Sequence, residues 1–199
     1  MTCYERGSMF AIEKGKKRLF LALELPEIFK DDLLRNPLPS QYGKMTSRGH
    51  LHLTLRFLGD MGPEEEQKVS EICRKIDFKP VPFSVDRYGF FPSFRKPASF
   101  HLRLKFFPEL KELKVKVDKL LEESLGMEPE DPDRYIPHIT LYRIRKVISP
   151  EECKSFLEWG LMQNIFSSAG NKMTLFQSYF SLEGGLIHAP IVSKIVPLQ

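Results

Sequence analysis

Two short runs in this 199-residue chain carry the residue types of acid–base chemistry in the same order: His52-Leu53-Thr54-Leu55 and His138-Ile139-Thr140-Leu141. On a pleated strand a histidine and the threonine two residues later share one face, while the intervening aliphatics point to the other. One such tetrapeptide is ordinary sheet composition. Two copies, 86 residues apart, suggest a duplicated lobe that brings two polar faces together across one cleft. Imidazole titrates at about 6.5 when unperturbed, so one histidine can be neutral and the other protonated, giving a base and an acid on opposite sides of a substrate. Two threonine hydroxyls, aided by backbone N–H groups or an arginine, can donate hydrogen bonds to oxygens that gain charge in the transition state. The set suits in-line phosphoryl transfer without a metal.

The elements that must position these residues are readable from hydrophobic periodicity. Residues 17–23 read as a largely buried strand, and Pro26 opens a helix through about Arg35. Leu51, Leu53 and Leu55 alternate with His52, Thr54 and Arg56, a strand with one apolar and one polar face that places Arg56 beside the candidate site as a substrate contact. Pro63 and three glutamates start a helix whose stripe is Val69, Ile72, Cys73 and Ile76. Residues 83–91 and the alternating Phe100, Leu102, Leu104 and Phe106 predict two strands of a hairpin. A second long helix runs from Pro108 to near Gly126, on the stripe Leu110, Leu113, Val117, Leu120, Leu121 and Leu125. Residues 128–133 form an acidic loop. Residues 136–144 return to alternation, with His138, Thr140 and Tyr142 on one face. Ser149 and Glu152 have the spacing of a capping box for a shorter helix, and strands over 174–182 and 191–198 close the chain around Gly184-Gly185. Strands interleaved with helices and a repeated motif predict an α+β fold with internal duplication rather than a doubly wound parallel sheet.

Composition bounds the answer. With 42% hydrophobic and 28% charged residues the chain can bury a core, which excludes disorder, collagen and coiled coil. A net charge of +4 permits a polyanionic partner without requiring one. Cys3, Cys73 and Cys153 fit neither a disulfide framework nor a CxxC metal site, which favours a reducing compartment. Apolar stretches fall far short of the roughly 20 residues of a bilayer span. The expectation is a cytoplasmic monomer with no membrane contact, residues 1–16 a loosely held extension and residues 17–199 one bilobal domain. No Walker A, GxGxxG or Ser-His-Asp signature appears, so no nucleotide or dinucleotide cofactor is expected, and no metal.

The residues around the two motifs carry a family resemblance. RLFLALELPE before the first motif, LHLTLRFLGD around it, PHITLYR around the second, the Gly89-Phe90-Phe91-Pro92 segment and the late Thr174-Leu175-Phe176-Gln177-Ser178 run resemble the 2H phosphoesterase superfamily, within it the LigT-like RNA 2′,3′-cyclic phosphodiesterases, also called 2′-5′ RNA ligases. The resemblance spans roughly Lys17 to Leu198. It implies two antiparallel sheets with helices packed outside, related by a pseudo-twofold axis, with the catalytic groove between the lobes. It also implies His52 as the proton donor to the leaving 3′ oxygen and His138 as the base that activates water, with a 2′-phosphate as product. Thr54 and Thr140 would hold the non-bridging phosphate oxygens, and Arg143 would be a further phosphate contact. Substrates would be RNA ends, tRNA-derived ones among them, or nucleotides bearing a 2′,3′-cyclic phosphate. The resemblance also implies ligation of tRNA halves by the reverse reaction as a secondary activity. Tyr142 stands where small residues are frequent in the group, so it would narrow the groove or stack on a base.

The other conspicuous residues have blander readings. His50 lies two residues from His52 without a visible third metal ligand, His101 with Arg103 and Lys105 reads as a solvated strand face or a basic wall of the groove, and His188 after the glycine turn reads as surface. Gly59-Asp60-Met61-Gly62 spells a KH-type loop but follows a strand and carries an acid, which argues against it. Tyr88, Phe90 and Phe91 are candidates for base stacking. Two further functions stay open: a non-catalytic nucleotide or RNA binding module with the same cleft, and a 2′-5′ oligoadenylate phosphodiesterase.

Overall fold

A computed structural model of the chain describes residues 13–182 and 185–198. Most of the predicted extension, and Cys3 and Gly184 with it, lies outside the described residues. The chain runs β1 (Lys17–Glu24), α1 (Glu27–Leu34), β2 (Gly43–Met45), β3 (His52–Met61), α2 (Pro63–Lys75), β4 (Val81–Phe83), β5 (Val85–Ser93), β6 (Lys96–Leu104), α3 (Pro108–Leu125), β7 (His138–Ile144), α4 (Pro150–Leu161), β8 (Ser168–Gly170), β9 (Lys172–Phe180) and β10 (Leu186–Ile195). Two four-stranded antiparallel sheets result, ordered β10-β9-β1-β3 and β2-β7-β6-β5, with β4 and β8 forming a separate short ribbon.

The duplication shows in the connectivity. A strand, a helix, a motif-bearing strand and a second helix follow one another as β1, α1, β3 and α2, and again as β6, α3, β7 and α4, with each motif strand paired antiparallel to the first strand of its set. The uninterrupted apolar run Leu19–Leu23 is buried because β1 is an interior strand of its sheet, flanked by β9 and β3. Helix ends fall where local chemistry sets them. Ser149 Oγ accepts from the Glu152 amide while the Glu152 carboxylate accepts from the Ser149 amide, the capping box the sequence predicts for α4. Gly126, at φ 65°, ends α3 in the left-handed region that a side chain would disfavour. No helix among the described residues is long and apolar enough to cross a membrane.

The α3 stripe is deeper than its apolar residues alone predict. Leu110, Leu113, Val117 and Leu121 are buried as expected, but so are Lys114, 0% exposed, and Asp118. Lys114 Nζ donates to Asp118 at 2.5 Å and pairs with Glu130 at 2.9 Å, and Arg56 from β3 pairs with Asp118 at 3.4 Å and Glu130 at 3.1 Å and donates to the Glu128 carbonyl at 2.7 Å. This network ties the acidic loop after α3 to β3. It is the fate of Arg56, which sequence alternation placed beside His52 and Thr54: the guanidinium is spent within the fold and is not a groove contact.

Candidate active site

Each motif strand carries a bulge at the same place. Opposite β1, Leu21 pairs with Arg56 and Ala22 with Thr54, so Leu55 is an extra residue; opposite β6, Phe100 pairs with Tyr142 and His101 with Thr140, so Leu141 is extra. The consequence is a reversal of facing after the second aliphatic. Leu55 and Arg56, and likewise Leu141 and Tyr142, are consecutive buried residues, and the next residue of each strand, Phe57 and Arg143, is the exposed one. Tyr142 is thereby corrected. It is 0% exposed, its hydroxyl donates to the Pro39 carbonyl at 2.5 Å and its ring packs edge-on against Phe156 at 5.3 Å, so it is a core residue behind the sheet. Arg143 takes the groove-facing position.

The two motif histidines are held alike. Nδ1 of His52 lies 2.8 Å from the His50 carbonyl and Nδ1 of His138 lies 2.8 Å from the Ile136 carbonyl. A carbonyl only accepts, so both rings carry their proton on Nδ1 and keep Nε2 available to a ligand. His52, Thr54, His138 and Thr140 line one groove of about 380 Å³ between the sheets, and none of its lining residues comes from the four α-helices. Tyr135, from the loop before β7, donates to the Thr54 carbonyl at 2.6 Å and ties the two motif regions together.

Burial makes both histidines reluctant cations in the empty groove. His52 is pulled down to about 3, chiefly by desolvation among the rings of Phe20 (4.9 Å) and Phe176 (6.1 Å), with His188 adding to it. His138 is also lowered by burial, opposed in part by the Ile136 carbonyl.

Two more histidines join the site against expectation. His188 is not a surface residue: its ring lies 5.3 Å from that of His52 and 4.9 Å from that of His50, and its Nδ1 is 2.6 Å from Ser178 Oγ. His101 is not on a solvated face. It is 2% exposed, stacks on Phe91 at 4.0 Å, stands 5.5 Å from His138, and has no hydrogen-bond partner at either ring nitrogen. Burial pulls both of them down to about 4. His188 was missed because β10 begins at Leu186, five residues before the apolar run at Ile191 suggests a strand; its signal was the hairpin register that sets it opposite Ser178. His50 is the last residue of the short 3-10 turn Arg48–His50 and lines the groove. Among the described residues no three of His, Cys, Asp or Glu are arranged to hold a metal ion.

Comparison with known proteins agrees with this architecture. The sequence model of the family described as LigT like Phosphoesterase matches residues 31–101, which include the first motif. The RNA 2′,3′-cyclic phosphodiesterase of Methanocaldococcus jannaschii is 26% identical over 145 residues, covering 71% of this chain and 79% of that protein. That of Methanothermobacter thermautotrophicus is 26% identical over 156 residues, covering 75% and 82%. Among solved structures, Escherichia coli LigT complexed with 3′-AMP superposes with a TM-score of 0.69 at 23% identity over 91% of this chain and 98% of that one. TT0787 of Thermus thermophilus gives 0.69 at 22% identity over 88% and 96%. The chain therefore shares the fold of Escherichia coli LigT, and its stretch around the first motif is similar to the LigT like Phosphoesterase family.

Proposed function

We propose that this protein opens 2′,3′-cyclic phosphates at RNA ends, leaving a 2′-phosphate and a free 3′-hydroxyl, with His52 as acid and His138 as base. The observation that carries the reading is the matched pair of histidine–threonine sets, each imidazole anchored through Nδ1 to a carbonyl two residues back and each bordering the same groove. The relatives named RNA 2′,3′-cyclic phosphodiesterase supply the substrate class.

In this mechanism Nε2 of His138 takes a proton from water as its oxygen bonds to phosphorus. The bond from phosphorus to the 3′ oxygen breaks on the far side, and the Nε2–H of protonated His52 gives that oxygen its proton. One water is consumed, and solvent exchange returns His52 to its protonated form and His138 to its neutral form. Thr54 and Thr140 hydroxyls donate to the non-bridging oxygens, and Arg143 adds a charge-assisted contact. The depressed basicity of His52 supports its role as acid, because a group that holds a proton unwillingly donates it readily once loaded. The loading comes from the substrate, whose phosphate anion favours the imidazolium.

That linkage fixes a pH dependence. Both histidines are lowered in the empty groove, and an entering anion raises them, so binding takes up a proton and affinity rises as pH falls. A 2′-O-methyl dinucleotide, whose diester charge is constant over the range, is expected to bind more tightly at pH 5 than at pH 7.5, by up to about tenfold per pH unit for one proton. Calorimetry in buffers of different ionisation enthalpy measures both affinity and proton uptake. Affinity independent of pH with no uptake would overturn the acid–base assignment. Comparing 2′-5′ oligoadenylate with the cyclic substrate separates the oligoadenylate reading.

A further inference from the structure

The groove is electrically lopsided. Its lining contains Lys44, Arg143 and Arg145 and no carboxylate. All three cations are exposed, and none has a carboxylate partner among the described residues. Beside the motif strands a second hollow of about 380 Å³, reached past Thr54 and His138, is lined by Glu130 and Asp131 together with Arg56 and Arg134, which pair with them. Unpaired positive charge is therefore concentrated on the groove side of the catalytic pair, while the charges of the second hollow are matched.

The cationic side is held together at a cost. In the pairing of β2 with β7, Lys44 sits directly opposite Arg143, and like charges directly opposite one another on neighbouring strands destabilise a sheet. The register is pinned by Gly43, where an added Cβ would stand 2.1 Å from the Arg143 carbonyl oxygen and 2.9 Å from the Tyr142 ring. The repulsion cannot be relieved by a slip, because the close approach of the two backbones depends on that glycine. Next to the pair, the Thr46 hydroxyl lines the groove, is buried and has no hydrogen-bond partner. His50 and His188, whose rings are 4.9 Å apart, line the groove together with these cations.

Charge counting then names what is missing. A 2′,3′-cyclic phosphate carries one negative charge, enough to balance Arg143 and not Lys44 or Arg145. We propose that Lys44, Arg145 and the Thr46 hydroxyl form a second phosphate subsite, which takes the phosphodiester on the 5′ side of the terminal nucleotide. The substrate is thereby a polynucleotide end rather than a free cyclic mononucleotide, and the chain leaves the groove over β2, where the unpaired cations stand. This inference rests on the hydrolase reading for which phosphate is which, but not for the existence of the subsite.

The test compares a dinucleotide ending in a 2′,3′-cyclic phosphate with the cyclic mononucleotide of the same terminal base, for the parent protein, Lys44→Gln, Arg145→Gln and the double variant. Lys119→Gln, on the exposed side of α3, controls for net charge. The parent is expected to favour the dinucleotide at least tenfold in kcat/KM, the double variant to lose most of that preference, and Lys119→Gln to keep it. The slope of log kcat/KM against log salt for the dinucleotide should fall by about 0.7 for each phosphate contact removed. A preference unchanged in the double variant, or equal losses on both substrates, overturns the subsite. If the parent converts neither substrate, the hydrolase reading has failed and the subsite is decided by binding alone. A dinucleotide bearing a 3′-phosphate should then bind at least tenfold more tightly than the nucleoside 3′-monophosphate, with the difference lost in the double variant; equal affinities overturn it.

Discussion

Replacing His138 with alanine is expected to lower kcat for cyclic phosphate opening by about a thousandfold or more, and His52→Ala to do the same, since removing a positioned general acid or base typically costs 10²–10⁴-fold. The two losses should not multiply in the double variant, because acid and base act on one displacement and neither is productive without the other. Folding should survive both changes. Each ring contributes one hydrogen bond from Nδ1 to a carbonyl, at 2.8 Å, and the removal of one such bond costs about 1 kcal/mol. Rates measured on variants whose circular dichroism and melting match the parent check this. Single variants that retain more than a tenth of the parent rate would remove both histidines from the mechanism.

The largest effect on stability is expected at Lys114. Its ammonium is fully buried between Asp118 and Glu130, and Lys114→Met would leave the Asp118 carboxylate, itself almost wholly buried, with only Arg56 at 3.4 Å. Breaking a buried pair from one side typically destabilises by about 3–5 kcal/mol, because the remaining charge stays desolvated. The loss would appear as a lower denaturant midpoint at unchanged slope. The effect should reach the site as well. The same network fastens the loop that leads to Tyr135, whose hydroxyl holds the Thr54 backbone. A change below about 1 kcal/mol would mean that solvent already reaches these charges.

What could be read from sequence, and what could not, follows from the range of the forces involved. His52 with Thr54 and His138 with Thr140 were legible because two-residue alternation fixes facing over three residues, whatever the rest of the fold does. Arg56 and Tyr142 were misplaced for one reason, acting twice. A bulge inserts Leu55 and Leu141 into the ladder, and only the pairing with β1 and β6 shows it. A solvated face was one reading of His101 and a surface position the reading of His188, because a polar strand face usually meets water, whereas here rings of the same sheet cover them, Phe91 and His138 for His101 and Phe20 and His52 for His188. Lys114 and Asp118 share the buried stripe of α3 and were invisible to a count of apolar residues, since only each other and Glu130 make their burial tolerable. The strand predicted over 83–91 is broken at Ser84 into β4 and β5, which join different sheets, and β2 and β8 are too short for any periodicity to register. Capping at Ser149 and the stop at Gly126 were local, and both were read correctly.

On the proposed mechanism two opposed histidines would open a cyclic phosphate with defined regiochemistry and no metal. The most direct measurement incubates the purified protein in EDTA with an RNA oligonucleotide ending in a 2′,3′-cyclic phosphate and resolves 2′- from 3′-phosphate products. A 2′-phosphate is expected, formed at the same rate with and without chelator. A 3′-phosphate would reverse the assigned leaving oxygen, loss of turnover in EDTA would contradict the two-histidine mechanism, and binding without any conversion would make the groove a recognition site rather than a catalytic one.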